Sequence, residues 1–445
     1  MGRSMAMAGA YQQERRKRLP DGATMTFTSR TTCRLCDHPL PSSKVLDLGN
    51  VPLANSYWSD HPALAQETFP LYLQQCGACA HVQLPIVVDP KRLFSEYAYT
   101  SGNAGDFAKH LVSFADDLYA AERYMSPKPV IDIGSNDGTL VRLLRGRGFP
   151  AMGIDPARNL AAEASQAGNL TIPAFLTVEV ARQLRELLGT GAKIVTALNV
   201  FAHTDGLHEL ATAMRILCGE HGRVIIEVAD VAEQIRTGDV SSCYFEHLSA
   251  HSLRPLVAFL ARHDLAVTAA QKLKVQGGSL RVYASPRGTP IDETTIAMFD
   301  TPPVDEWQAR ADRQAADLRE KLEPFLSTDP IGGSEVGESL PVPRLAVFGA
   351  PARLTALAYS LKLRREDVQC VFDDEPRKVG KFTPGLHWPI VSSAELMARN
   401  PPAILVASWN YFDHIRKRFP DYRGEWIVPN REASLADETA TIDAR

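Results

Sequence analysis

The stretch Val130-Ile131-Asp132-Ile133-Gly134-Ser135-Asn136-Asp137-Gly138-Thr139-Leu140 constrains the fold of this chain more than any other. An apolar run ends on Asp-x-Gly-x-Asn-Asp-Gly, and apolar residues resume at Leu140, Leu143 and Leu144 with helical spacing. The pattern predicts a strand, a tight turn and the first turn of a helix. Glycines at 134 and 138 let the backbone turn with positive φ and let a ligand press against the main chain. Further on, Met152-Gly153-Ile154-Asp155 reads as a second strand ending in an acid, placed to take both hydroxyls of a ribose. Asn136 stands where a dinucleotide turn has its second glycine, and Asp137 would repel a pyrophosphate. S-adenosylmethionine, which joins adenosine to a cationic sulfur and an amino-acid tail, suits this acidic turn better. The expected contacts are Asp132, Gly134, Asn136, Asp137 and Asp155.

The rhythm continues beyond that turn. Strands fit 129–133, 151–155, 194–198 and 222–228, and helices fit 138–147, 156–167, 178–189 and 206–217. Such alternation predicts a doubly wound parallel sheet, whose ligands lie outside the carboxyl ends of the strands. Asn199, Phe201 and His203 follow the predicted strand 194–198 and so face the same crevice; His203 could equally cap a helix or sit in the core.

Two Cys-x-x-Cys pairs, Cys33/Cys36 and Cys76/Cys79, offer four thiolates with the spacing of a closed structural zinc site. Four sulfurs leave no open coordination position, so this metal holds a small domain and does no chemistry. Seven cysteines, four of them in these two pairs, argue for metal rather than disulfides and so for a reducing compartment, and the cytoplasm is the simplest location. A formal net charge of -4 over 445 residues supplies no basic field for nucleic acid, and no apolar run reaches membrane-spanning length. Residues 1–28, with Arg15-Arg16-Lys17-Arg18 in their middle, read as a disordered tail.

The remaining segments carry weaker signals. Tyrosines in 94–102, Tyr99 among them, either line a cleft or cap the zinc module, and a helix fits about 104–122. Tyr244, Glu246 and His247 would supply an enolate donor, an orienter and a base near neutral pH. Gly277-Gly278 joins two strand-like runs, where Arg281 could meet a phosphate or be an ordinary surface arginine. An amphipathic helix fits 304–325, and the glycine- and proline-rich 328–343 reads as a linker. A second strand–turn–helix opens at Leu345, and Asn410 follows one of its later strands. A basic loop with Lys378 and Lys381 is suited to a phosphorylated ligand or is simply solvated.

Taken in order, the paired Cys-x-x-Cys with Pro-Leu-Ala-Asn between them, Asp-Ile-Gly-Ser-Asn-Asp-Gly, Asn-Val-Phe-Ala-His, Tyr-Phe-Glu-His-Leu-Ser, Gly-Gly-Ser-Leu-Arg, Phe-Gly-Ala-Pro-Ala and Asp-Asp-Glu-Pro resemble the sugar-nucleotide C-methyltransferases. The resemblance covers residues 30 to 430. It implies a Rossmann-like class I methyltransferase domain (96–327), flanked by a zinc-binding domain (29–95) and a C-terminal α/β domain (344–445) that assists sugar-nucleotide binding. The implied reaction moves a methyl group from S-adenosylmethionine to C3 of a dTDP-linked 4-keto-6-deoxyhexose, in deoxysugar and antibiotic biosynthesis, by a monomer. His247 matches the family's base, Tyr244 and Glu246 its neighbours, and Asn199 and His203 the motif beside the methyl donor; Tyr99 is the expected aromatic from before the methyltransferase domain. Arg281, Lys381 and Asn410 are the expected substrate contacts. The chain departs from the family's pattern at Phe245, at Ala250-His251, at Gln276 where histidine is usual, and in Ala352-Arg353-Leu354-Thr355. These changes are expected to cluster where the acceptor lies. Alternatives are another outcome on the same scaffold, such as epimerisation, a binding protein, or a zinc-ribbon adaptor.

Overall fold

Short apolar runs between residues 130 and 285 become the strands of one sheet: β1 (Val130–Ile133), β2 (Ala151–Ile154), β3 (Thr171–Ile172), β4 (Ile194–Leu198), β5 (Arg223–Ala229), β6 (Ala266–Leu273) and β7 (Ser279–Ser285). The computed structural model describes residues 13–18, 24–59, 66–94, 105–122, 129–189, 191–327, 344–429 and 441–443. The strand order is β3-β2-β1-β4-β5-β7-β6, and β1 to β5 run parallel. All residues of β1 and β4 are buried, as expected of strands covered by helices on both faces. Helices Thr139–Gly146, Arg158–Gln166, Val178–Leu188 and Leu207–Cys218 lie within or beside their expected ranges.

The sheet is not wholly parallel, which corrects the sequence expectation. Strand β7 is antiparallel to β5 and β6 to β7, because the short Gly277-Gly278 connection makes a hairpin and leaves no chain for a parallel crossover. Thr441–Asp443, assigned by the sequence boundaries to the C-terminal domain, instead pairs antiparallel with β6 at the sheet edge.

The N-terminal domain carries a sheet of Leu46–Pro52, Thr68–Gln75, Val82–Gln83 and, from far along the chain, Ser249–Ala250. Phe245, Leu248 and Trp307 join Leu46, Phe69 and Leu71 in its core. The disordered tail is also corrected: Gln13–Arg18 and Thr24–Ser29 form an antiparallel pair whose second strand continues onto Ile86–Val88. Local polarity does not reveal such an added edge, because its partner lies elsewhere in the chain.

The C-terminal domain is a five-stranded parallel sheet of β8 (Leu345–Phe348), β9 (Val368–Asp373), β10 (Ile390–Ser392), β11 (Ala403–Val406) and β12 (Glu425–Ile427), ordered β10-β9-β8-β11-β12. Helix Trp307–Leu322 ties the ends of the molecule together. Its Trp307 and Ala311 belong to the N-terminal core, its Leu318 and Leu322 to the C-terminal one. The proposed linker 328–343 lies outside the described residues. Among the described residues no helix is long and apolar enough to cross a membrane.

Candidate active site

The strand order reverses between β1 and β4, and ligands of open α/β sheets settle at such a switch point. Gly134 (φ 66°) follows β1 there, and a Cβ on it would fall 2.5 Å from Val200 Cγ2, so only glycine lets this turn close on the segment after β4. Asp155, at the end of β2, accepts the backbone N–H groups of Asn136 and Ala157, both at 2.8 Å. Two of its four acceptor directions are thereby used, and the other two suit a ribose diol. Asn199 (φ 57°) follows β4, and its buried Nδ2 has no acceptor among the described residues. Asp137 accepts the Thr139 N–H and fastens the start of the helix. Asp132 takes a 2.6 Å hydrogen bond from Thr196 Oγ1, and burial, reinforced by the charge of Asp155, pushes its carboxyl up to about 7. An acidic, half-neutralised cradle with an unused amide donor fits a cationic adenosine derivative.

The loop after residue 242 enters the same crevice. His247 is half-buried, its Nδ1 2.7 Å from the Ser242 carbonyl and its Nε2 2.9 Å from the Tyr244 hydroxyl. The carbonyl can only accept, so Nδ1 carries the proton and Nε2 presents the lone pair. The His203 ring stands edge-on to His247 with centroids 4.8 Å apart, which joins the loop to the segment after β4. Burial lowers His203 to about 4, and burial with the nearby His203 holds His247 well below the usual histidine range. Both rings are therefore neutral at pH 7.

Glu246 does not orient a histidine, in contrast to the sequence expectation. It is buried, accepts from Asn55 Nδ2 at 2.8 Å, and keeps Oε2 without a partner, so desolvation raises its pKa. The orienting group for His247 is the Ser242 carbonyl instead. Asn55 closes the Pro-Leu-Ala-Asn motif, so this contact brings the N-terminal domain into the site.

Two further expectations change. Arg281 is 2% exposed and lies across from Glu227 in the β5–β7 ladder, with Nη2 2.8 Å from its carboxylate. His110 meets the same acid at 2.8 Å, and Phe114 lies under the guanidinium at 4.6 Å. Arg281 is thus committed to a buried ion pair and does not reach a substrate phosphate. The departures at Phe245 and His251 do not line an acceptor site either. Phe245 is fully buried against Phe69, and His251 packs on His81 with its Nε2 3.2 Å from the Phe201 carbonyl. Tyr99 lies outside the described residues.

On the C-terminal side, Asn410 is half-buried on the turn Trp409–Tyr411 after β11. Lys381 is half-buried on the 378–385 loop, whereas Lys378 turns inward, donating from Nζ to the Ala350 carbonyl at 2.9 Å beside the Tyr57 ring. Sequence reasoning passed over Arg353 as a candidate contact. Its side chain reaches across to the Gln276 carbonyl at 2.7 Å.

The four knuckle sulfurs lie within 4.8 Å of one another, with Cys33–Cys79 at 3.6 Å and Cys36–Cys76 at 3.5 Å. A tetrahedral zinc with bonds of about 2.3 Å requires sulfurs about 3.8 Å apart, so the set fits that ion. Each knuckle repeats one backbone scheme, with the N–H of Leu35 or Ala78 at 3.4 Å from the first cysteine sulfur. His38 and His81 are not ligands; His81 instead meets Ser249 Oγ at 3.2 Å.

Comparison with known proteins agrees with this layout. Residues 33–94 match a zinc-binding domain, 107–270 a methyltransferase domain, and 341–430 the C-methyltransferase C-terminal domain. The three matched domains are those of an S-adenosylmethionine-dependent C-methyltransferase. The C-methyltransferase NovU of Streptomyces niveus is 29% identical to it over 425 residues, covering 92% of this chain and 98% of that one. Among solved structures, magnesium protoporphyrin IX methyltransferase (ChlM) from Synechocystis PCC 6803 is 18% identical with a TM-score of 0.29, covering 40% of this chain and 78% of its own. A methyltransferase from Clostridium acetobutylicum ATCC 824 is 12% identical with a TM-score of 0.33, covering 41% and 92%. Likeness that distant adds nothing to the assignment. The crevice at Gly134, Asp155 and Asn199 offers the donors and acceptors that suit S-adenosylmethionine, and the four-cysteine cluster has the spacing that suits zinc.

Proposed function

We propose that the enzyme methylates the carbon α to the ketone, at C3, of a nucleotide-linked 4-keto-6-deoxyhexose, with His247 as the base. The arrangement around His247 carries the reading: a neutral imidazole with its proton fixed on Nδ1 presents its Nε2 lone pair beside the cofactor crevice. S-adenosylmethionine supplies an electrophilic methyl group on a sulfonium. The chain's residues must make and hold the carbanion. As an acceptor enters, the Tyr244 hydroxyl turns from His247 Nε2 to the ketone oxygen, which frees Nε2 to take the α-proton. Charge that moves onto the oxygen is held by that hydroxyl, and such a donor in a dry site is worth on the order of 3 kcal/mol. Glu246 Oε2, buried without a partner, is placed to accept from a sugar hydroxyl. The motif resemblance supports a deoxysugar acceptor in antibiotic biosynthesis, the similarity to the C-methyltransferase NovU supports methyl transfer to carbon, and the free thiols suit a cytoplasmic setting. The resemblance likewise supports a monomer.

The test is incubation with methyl-labelled S-adenosylmethionine and a panel of dTDP-linked ketohexoses. Label should reach C3 of one member, and His247→Asn should abolish the transfer while S-adenosylmethionine still binds. Near wild-type turnover by that variant rejects the base; no transfer to any panel member rejects the acceptor.

A further inference from the structure

His251 follows the catalytic loop and is one of the positions at which the chain departs from the family's pattern. Its ring is 1% exposed, and its Nε2 lies 3.2 Å from the Phe201 carbonyl. That carbonyl can only accept, so Nε2 carries the proton and Nδ1 the lone pair. Nδ1 is buried without a partner among the described residues. Burial lowers the ring to about 4, so it is neutral at pH 7. The ring packs on His81, with centroids 5.2 Å apart, and on the Phe201 ring at 6.0 Å. An imidazole withdrawn from water for one hydrogen bond gains little stability, because the unmatched second nitrogen offsets it. What the bond does is fix the place of one carbonyl.

The carbonyl belongs to the segment that brings His203 to the site. Asn199, at its start, is held by its own N–H on the Glu227 carbonyl of β5 at 2.7 Å. Beyond Asn199 the grip comes from the chain after His247. The N–H groups of Leu248 and Ser249 reach the Ala202 carbonyl at 2.7 and 3.3 Å, and the His251 ring reaches that of Phe201. His203 follows directly, with its N–H on the Val200 carbonyl at 2.9 Å and its ring 4.8 Å from that of His247. The backbone around His251 is itself anchored. Its carbonyl accepts the Val231 N–H at 3.0 Å, and Ser249–Ala250 pair with Val82–Gln83. His247 is faced by His203, by Tyr244 of its own loop, by His251, and by Arg353 of the C-terminal domain. After burial, the charge of His203 does most to hold His247 low.

We propose that His251 is a positioning residue for methyl transfer: its Nε2–H holds the Phe201 carbonyl and so sets the His203 ring against His247. The strength of the base then depends on a side chain that touches neither cofactor nor acceptor. The inference rests on His247 as the base and adds a residue that acts on it through His203.

Nitrogen NMR of the full chain with labelled histidine tests the tautomer first. At pH 7 His251 should show a protonated Nε2 and a bare Nδ1; a proton on Nδ1 overturns the proposal whatever the variants do. Two substitutions then separate the donor from the ring. His251→Phe keeps a flat ring and loses the donor, whereas His251→Gln keeps an amide N–H within reach of the carbonyl. At saturating acceptor, His251→Phe should lose at least about tenfold in kcat, and His251→Gln should recover most of it. With His203 released, the acid limb of kcat/KM should move towards neutral pH by roughly half a unit or more. The His247 ring signals should titrate with the same shift when neither cofactor nor acceptor is present. S-adenosylmethionine affinity should stay within about twofold, because Asn199 is pinned separately on Glu227. Wild-type kcat in His251→Phe, equal losses in the two variants, or an unmoved His247 titration would each overturn the assignment. If His247→Asn keeps its turnover, it is the base that falls; the tautomer and the His247 titration still decide the role of His251.

Discussion

At the scale of single residues, the site depends on which groups are neutral. The proposed base, His247, can take a proton only in its uncharged form, which is present above its pKa and lost as pH falls through it. Burial and His203 place that pKa well below 6.5, so kcat/KM should stay level from pH 8 down past 6.5 and drop only in more acidic buffer. A pH–rate profile that already falls between pH 8 and 7 would contradict this. Asp132 works in the opposite direction. Its carboxyl is raised to about 7, so a sizeable fraction carries a proton in the empty site at neutral pH. A cationic ligand favours the ionised form, so S-adenosylmethionine binding at pH 7 should release protons. Titration calorimetry in buffers of different ionisation enthalpy should show a slope that vanishes in Asp132→Asn. Both residues were legible as chemistry in the sequence, because strand–turn–acid and Tyr-x-Glu-His are local patterns. The role of Glu246 was not: its partner Asn55 lies 191 residues away.

At the scale of elements, a buried arginine links the cysteine knuckle to the loop that carries His247. Arg34, between Cys33 and Cys36 and with no exposed surface, donates from Nη1 to the Leu248 carbonyl at 2.9 Å and the Leu84 carbonyl at 2.7 Å. Leu248 follows His247 directly, and its N–H bonds to the Ala202 carbonyl at 2.7 Å, beside His203. A zinc ion closing the knuckle would therefore hold the His247 imidazole in place from a distance. Stripping zinc with a strong chelator should lower the Tm and abolish methyl transfer, since structural zinc contributes folding energy directly. S-adenosylmethionine should keep measurable binding, because Gly134, Asp155 and Asn199 stand on a separate sheet. Full turnover after complete zinc removal, verified by metal analysis, would show that the knuckle and the loop are uncoupled. Arg34→Leu with zinc retained should reproduce the loss of turnover.

At the scale of the whole molecule, polar contacts as well as shared apolar cores tie the three domains together. Asn55 from the N-terminal domain meets Glu246, Arg353 from the C-terminal domain meets Gln276, and Arg377 lies 3.1 Å from Glu163 on the central domain. The last pair is largely exposed and contributes little, whereas the first holds a buried carboxylate. Asn55→Ala leaves that carboxylate without its amide donor, so urea unfolding should show a loss of about 1–3 kcal/mol and slower methyl transfer. An unchanged unfolding midpoint would mean that water replaces the amide and that the domains are not joined there.

Periodicity, turn glycines and cysteine spacing are properties of neighbouring residues. For that reason the sequence by itself determined the zinc ligands, the strand–turn–helix at 130–140, the second α/β unit and the helix at 304–325. Pairings between distant segments obey no such local rule. By sequence Arg281 could be a phosphate ligand or an ordinary surface arginine, and the β5–β7 register made it neither by setting it across from Glu227, 54 residues earlier. The same holds for Phe245, which entered the N-terminal core, for Ser249–Ala250, which became an edge strand of that domain, and for Arg353, which found Gln276 across 77 residues. Tertiary structure alone decided these, because the free energy of a buried charge or ring depends on what the rest of the chain places beside it.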